Sequence, residues 1–72
     1  MSQNTLIEQA TTNCEFLNFI EGKHQNQAII AKKNLETQIK KTLSSPTKDN
    51  YNGLSTINAS VAGWLAYINE PI

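Results

Sequence analysis

Residues 50–69 read NYNGLSTINASVAGWLAYIN and contain no Lys, Arg, Asp or Glu, although the chain before them is well charged. Within them Leu54, Ile57, Val61, Trp64 and Ile68 recur at spacings of three, four, three and four. That is the narrow apolar seam of a helix packed in coiled-coil fashion. Ser55, Ala59 and Gly63 lie four apart on a second face, with Ala62 and Ala66 beside them. Small side chains there let another helix come close. The pattern predicts a helix near 47–69, with one face in the core and the other on a second chain or a ligand. On this reading the segment carries no charge because little of it faces water. Pro71 marks its end. Gly53 leaves its start open between Pro46 and Asn52, since an interior glycine costs about 1 kcal/mol relative to alanine.

Two further helical patterns precede this one. Leu6, Ile7, Ala10, Cys14, Leu17 and Ile20 form an apolar stripe that predicts a helix over about 4–21. Phe16 and Phe19 widen the stripe, and Gly22 is placed to end the helix in the left-handed conformation. Ala28, Ala31, Leu35, Ile39 and Leu43 then follow at three, four, four and four, predicting a second helix near 25–43. On another face Lys32, Glu36 and Lys40 are four apart, so Glu36 can meet a lysine on either side for a few tenths of a kcal/mol. The run SSPTKDN at 44–50 breaks the pattern. There Ser45 is expected to cap the last helix with Pro46 as its first residue, where a missing amide hydrogen costs nothing. The fold class is therefore all-α, a small helical hairpin or three-helix bundle within one domain spanning 1–72. Leu35, Ile39, Leu54, Ile57, Val61 and Trp64 are its expected core.

Seventy-two residues bury only about 60% of their unfolded surface, which leaves a marginal core in need of a staple or a partner. One cysteine, Cys14, excludes an internal disulfide, and with the lone His24 it makes no recognisable metal site. A free thiol fits a reducing cytoplasm, and Cys14 reads as a small core residue. Self-association is the remaining source of stability, through Ser55, Ala59, Gly63 and Trp64. A net charge of zero argues against general nucleic-acid binding. The start MSQNTLIEQ lacks the basic and apolar regions of a signal peptide. The uncharged segment is about long enough to cross a bilayer, yet its asparagines, serines and threonine make it too polar for lipid.

No sequence feature points to an enzyme or to a bound cofactor. There is no glycine-rich phosphate loop, HExxH or CxxC, and Glu8, Glu15 and Glu21 read as a solvated edge. Binding is better supported. Lys32, Lys33, Lys40, Lys41 and Lys48 outnumber Glu36 and Asp49 along the second helix and its following loop. The first four lysines, with Tyr51 or Tyr67 as a stacking ring, are the candidate contacts for a small anionic ligand.

The C-terminal half also resembles a known family. Ala28, Ala31, Leu35 and Ile39, then Pro46, then Trp64 followed by Ala66 and Ile68 are similar to the hairpin domain of phage sponges. Those proteins sequester signalling cyclic oligonucleotides and so blunt CBASS and Thoeris immunity. The resemblance covers residues 28–69. Gly63 stands where those domains usually carry Met, and residues 1–22 read as a full amphipathic helix in place of their N-terminal motif. What the resemblance implies is stoichiometric capture of a cyclic di- or trinucleotide in the host cytoplasm, by lysines and aromatic rings brought together where protomers meet. The competing expectation is a small helical inhibitor, anti-CRISPR-like, that occupies a host defence protein, or an oligomeric interaction module.

Overall fold

The computed structural model describes residues 3–69, which form an all-α fold of three helices: α1 (Gln3–Leu17), α2 (Gln25–Ser44) and α3 (Lys48–Ile68). A single 3-10 turn, Gly22–His24, leads into α2. The chain runs up, down and up, so α2 is antiparallel to both neighbours. Asn13 of α1 meets Asn58 of α3, Gln38 of α2 meets Asn50 at the start of α3, and His24 meets Trp64 near its end.

The core lies along the line where all three helices face one another. Ala10, Cys14 and Leu17 enter it from α1, Ala28 and Leu35 from α2, and Leu54, Val61 and Leu65 from α3. Ile39, Ile57 and Trp64, expected in the core, pack against it half-buried. The buried residues of α3 are Leu54, Asn58, Val61 and Leu65, not the seam through Ile57, Trp64 and Ile68. A helix with two neighbours centres its buried face between them. Ile57 and Trp64 turn towards α2, while Asn58 and Leu65 turn towards α1.

Several expectations are corrected. Half of the segment 50–69, ten of its residues, faces water within the chain. Its outward face avoids charge by using small and uncharged polar side chains, not by being covered in the fold. The first helix stops at Leu17, because the amides of Asn18, Phe19 and Ile20 bond back three residues at 3.1, 3.1 and 3.4 Å, the tightening common at a helix end. Phe19 is thereby turned out and is 79% exposed. Gly22 does adopt a left-handed φ of 77°, but it redirects the chain into the 3-10 turn and does not cap α1. In α2 the buried residue near the end is Thr42, fully enclosed, while Leu43 is 60% exposed. Thr42 faces the first turn of α3, and Leu43, about 100° further round the helix, faces away.

Ser45 and Pro46 lie before α3, and Thr47 caps it: its hydroxyl accepts from the Asn50 amide at 3.2 Å. The Ser45 carbonyl is instead taken by the Thr47 amide at 2.8 Å and the Asn50 side-chain amide at 2.7 Å. These bonds hold the turn closed before the helix begins. Below it, the Asn50 carbonyl accepts from the Gln38 amide at 3.0 Å, and the Thr42 hydroxyl donates to the Gln38 carbonyl at 2.7 Å. Gly53 lets Gln38 come so near, since a Cβ at that position would sit 3.2 Å from Gln38 Nε2.

Candidate binding surfaces

The candidate lysines stand on different parts of α2. Lys32 is half-buried and its ammonium lies 3.5 Å from Glu36, one turn further along. Of the two lysines within reach of Glu36, this one forms the pair, in the less favourable order with the cation N-terminal to the acid. Lys33, Lys40 and Lys41 are exposed. Lys32 and Lys33 line a cleft of about 280 Å³ between the end of α1 and the start of α2, together with Glu36, Asn18, Gln25, Leu17, Ile20 and Ile29. Lys40 borders a separate, shallower cleft over Cys14.

The clefts that Lys32, Lys33 and Lys40 line have no tyrosine among their lining residues. Tyr51 is half-buried in the first turn of α3, and Tyr67 is 70% exposed in its last. A rise of 1.5 Å per residue sets them roughly 24 Å apart along the helix. One chain therefore does not bring both tyrosines to one ligand. Its lysine cleft is also smaller than the roughly 300–1,000 Å³ of typical small-molecule sites.

Phe16 and Phe19 are the rings that do stand near the lysine cleft. They line an adjoining hollow with Ile20, Leu65 and Asn69, and Ile20 belongs to both hollows. Phe16 is 56% exposed and Ile29 58%. Where α1 turns into α2, two hollows joined at Ile20 thus carry the exposed Phe16, Phe19 and Ile29, with Lys32, Lys33 and Glu36 at their edge. Sequence periodicity assigned Phe16 and Phe19 to a widened buried stripe. The signal that could have released them is the clustering of Asn18, Glu21 and Gly22 directly behind, which favours an early helix end.

Ser55, Ala59 and Gly63 are exposed on the outward face of α3, and a Cβ on Gly63 would meet nothing within 4 Å. Trp64 lies on another face, half-buried, with the His24 ring edge-on at 6.0 Å and 87°. It is engaged within the chain. A polar contact that the apolar pattern could not reveal joins α1 to α3, where Asn13 donates to Asn58 at 2.7 Å and Asn58 is only 7% exposed.

Cys14 is buried in the core. Burial pushes its thiol pKa up, the carboxylate of Glu36 adds to the rise, and the ammonium of Lys32 opposes it. The side chain thus stays a neutral thiol, a poor nucleophile. Among the described residues no three His, Cys, Asp or Glu side chains come together as metal ligands would, and no helix is long and apolar enough to cross a membrane. No family model, curated protein or solved structure matches the chain.

Proposed function

We propose that this protein is a non-catalytic binding module that acts by covering a surface of a partner protein. The observation that supports it is the patch of Phe16, Phe19 and Ile29, each more than half exposed, beside Lys32 and Lys33. Exposed apolar patches rimmed by polar groups mark interaction sites. Aromatic anchors inside a charged rim are the usual anatomy of a protein interface. The fitting partner surface is an apolar pocket bordered by carboxylates, which in the anti-defence setting would belong to a host defence protein. The test is affinity capture from host cells followed by reconstitution with the purified partner. Phe19→Asp should weaken binding by about thirtyfold or more, as for an interface hot spot, while Tyr67→Ser leaves it intact. Equal binding by both variants would remove the patch from the mechanism.

A second reading is sequestration of a cyclic oligonucleotide. Its support is the cleft itself, where Lys33 stands uncovered beside the Lys32–Glu36 pair and the side-chain amides of Asn18 and Gln25, with Phe19 in the hollow that adjoins it at Ile20. The lysines would neutralise phosphodiesters and a phenyl ring would take the stacking role first assigned to Tyr51 or Tyr67, with a second chain closing the site. Calorimetry with cyclic di- and trinucleotides decides it. Lys33→Ala should weaken binding by about tenfold or more, given roughly 1.5–3 kcal/mol for a charge-assisted contact. No heat with any of these ligands ends this reading and leaves the first.

A further inference from the structure

Of the chain's nine asparagines, Asn52 alone is followed by glycine. It stands in the second turn of α3 and is exposed. The turn before it is held by few bonds. The Thr47 hydroxyl accepts from the Asn50 amide at 3.2 Å, and the Asn50 carbonyl accepts from the Gln38 side chain at 3.0 Å. One turn further along, the Thr56 hydroxyl donates to the Asn52 carbonyl at 3.0 Å.

From this placement we infer that Asn52 is a site of spontaneous modification, deamidation through a cyclic imide, and that the folded start of α3 sets its rate. The proposal goes beyond the binding module described above and does not depend on it. The backbone nitrogen of Gly53 attacks the side-chain carbonyl carbon of Asn52, forming a carbon–nitrogen bond and losing its proton. The bond from that carbon to the side-chain nitrogen breaks, and the nitrogen leaves as ammonia. Water then opens the ring at either of its carbonyls. Residue 52 becomes an aspartate joined to Gly53 through its main-chain carbonyl or through its side chain. Water is the only co-reactant. Glycine matters because no side chain shields the attacking nitrogen.

Within α3 the reaction is held back. The helix pairs the Gly53 amide hydrogen with the carbonyl four residues earlier. Ring closure also needs a rotation at Asn52 that takes it out of the helical ψ. The chemistry therefore proceeds from a locally opened start of α3, and its rate follows the population of that open state. Helix ends open most readily because their outer backbone groups have no partner within the helix. Here Thr47 and Gln38 supply the restraint. Both products disturb what they enter. The new carboxylate falls in a stretch, 50–69, that has no charge, and it lies three residues from Asp49, where like charges on a helix repel. The side-chain linkage also inserts a methylene into the main chain, which breaks the helical ladder where Gln38 packs against Gly53. The modified chain thus loses the α2–α3 turn, and the reaction limits the working life of the fold.

The test is incubation of the whole chain in mildly alkaline buffer, followed by peptide mass spectrometry. The wild type should show the mass of an amide turned acid at Asn52 before any other asparagine, and faster still in urea. Thr47→Ala should speed the native reaction about fivefold, the change in open population that loss of a helix cap brings. Gln38→Ala, which removes the bond to the Asn50 carbonyl, should act in the same direction. In urea both variants should react at the wild-type rate. Gly53→Ala should be slower than the wild type in urea as well as in buffer, since its methyl group shields the nitrogen in either state. Circular dichroism confirms that the variants are helical before incubation. An Asn52 that survives in urea, or another asparagine that reacts first, overturns the site. Native rates that neither Thr47→Ala nor Gln38→Ala changes overturn its control by the fold.

Discussion

Leu35 and Leu43 share a helix and a side chain, and the three-helix core separates them completely. Leu35 is fully enclosed, whereas Leu43 is 60% exposed. Leu35→Ala should cost about 2–5 kcal/mol, the range for large-to-small changes in a packed core. Leu43→Ala should stay within about 0.5 kcal/mol, as surface changes usually do. Urea denaturation of the two variants is the check, and similar costs would mean that the buried face of α2 is wrongly assigned. Cys14 carries a second prediction. Because burial raises its pKa, with Glu36 adding and Lys32 opposing, the folded state holds the thiol proton more tightly than the unfolded chain. That contribution is fully present below the unfolded pKa and is lost as pH rises through the raised folded value. The melting temperature of the wild type should therefore fall more steeply in alkali than that of Cys14→Ala. Parallel alkaline profiles would show that the thiol titrates alike in both states.

The helices meet through their ends as much as through their apolar faces. At the α2–α3 turn, Gln38, Thr42, Thr47 and Asn50 form a small hydrogen-bond network, and its Gln38 side chain lies close against Gly53. Gly53→Ala should gain about 1 kcal/mol of helix propensity when Gln38 is also replaced by Ala. With Gln38 in place the gain should shrink by about 0.5 kcal/mol or more, because neighbours that touch are not additive. The four proteins of this cycle can be compared by thermal melting, and an equal gain in both backgrounds would show that the 3.2 Å approach relaxes freely. Apolar spacing made the three helices legible, and it brought Leu35, Leu54 and Val61 into the core. It could not show that α3 has two neighbours, so it took Trp64 for the seam and passed over Leu65. It was equally blind to Asn58 and Thr42, whose burial rests on hydrogen-bond partners far along the chain or on the next helix. The lysines were legible as a cluster in sequence, but their phase on α2 divided them between clefts. The rings beside them came from a helix that ends three residues before its periodicity does.

At the scale of the whole molecule, α1 is the element whose role the hairpin alone does not foretell. The resemblance noted in the sequence spans 28–69, a unit of α2 and α3. In the fold, Ala10, Cys14 and Leu17 of α1 are buried against that hairpin, and Asn13 satisfies the buried side chain of Asn58. Removing residues 1–21 would bare the flank of Leu35 and Leu65 and leave Asn58 without its partner. A chain of about 50 residues also lies near the size below which a single core no longer suffices without an added staple or partner. Gly22–Ile72 alone should therefore lose the cooperative melting of the full chain, with its helical circular dichroism sharply reduced at low concentration. Raising the concentration should restore part of it, because the exposed flank offers a surface for association. A truncated chain that melts cooperatively as a monomer would make the hairpin the folding unit and α1 an appendage. Full loss that concentration does not reverse would place α1 in the core as an obligatory third layer.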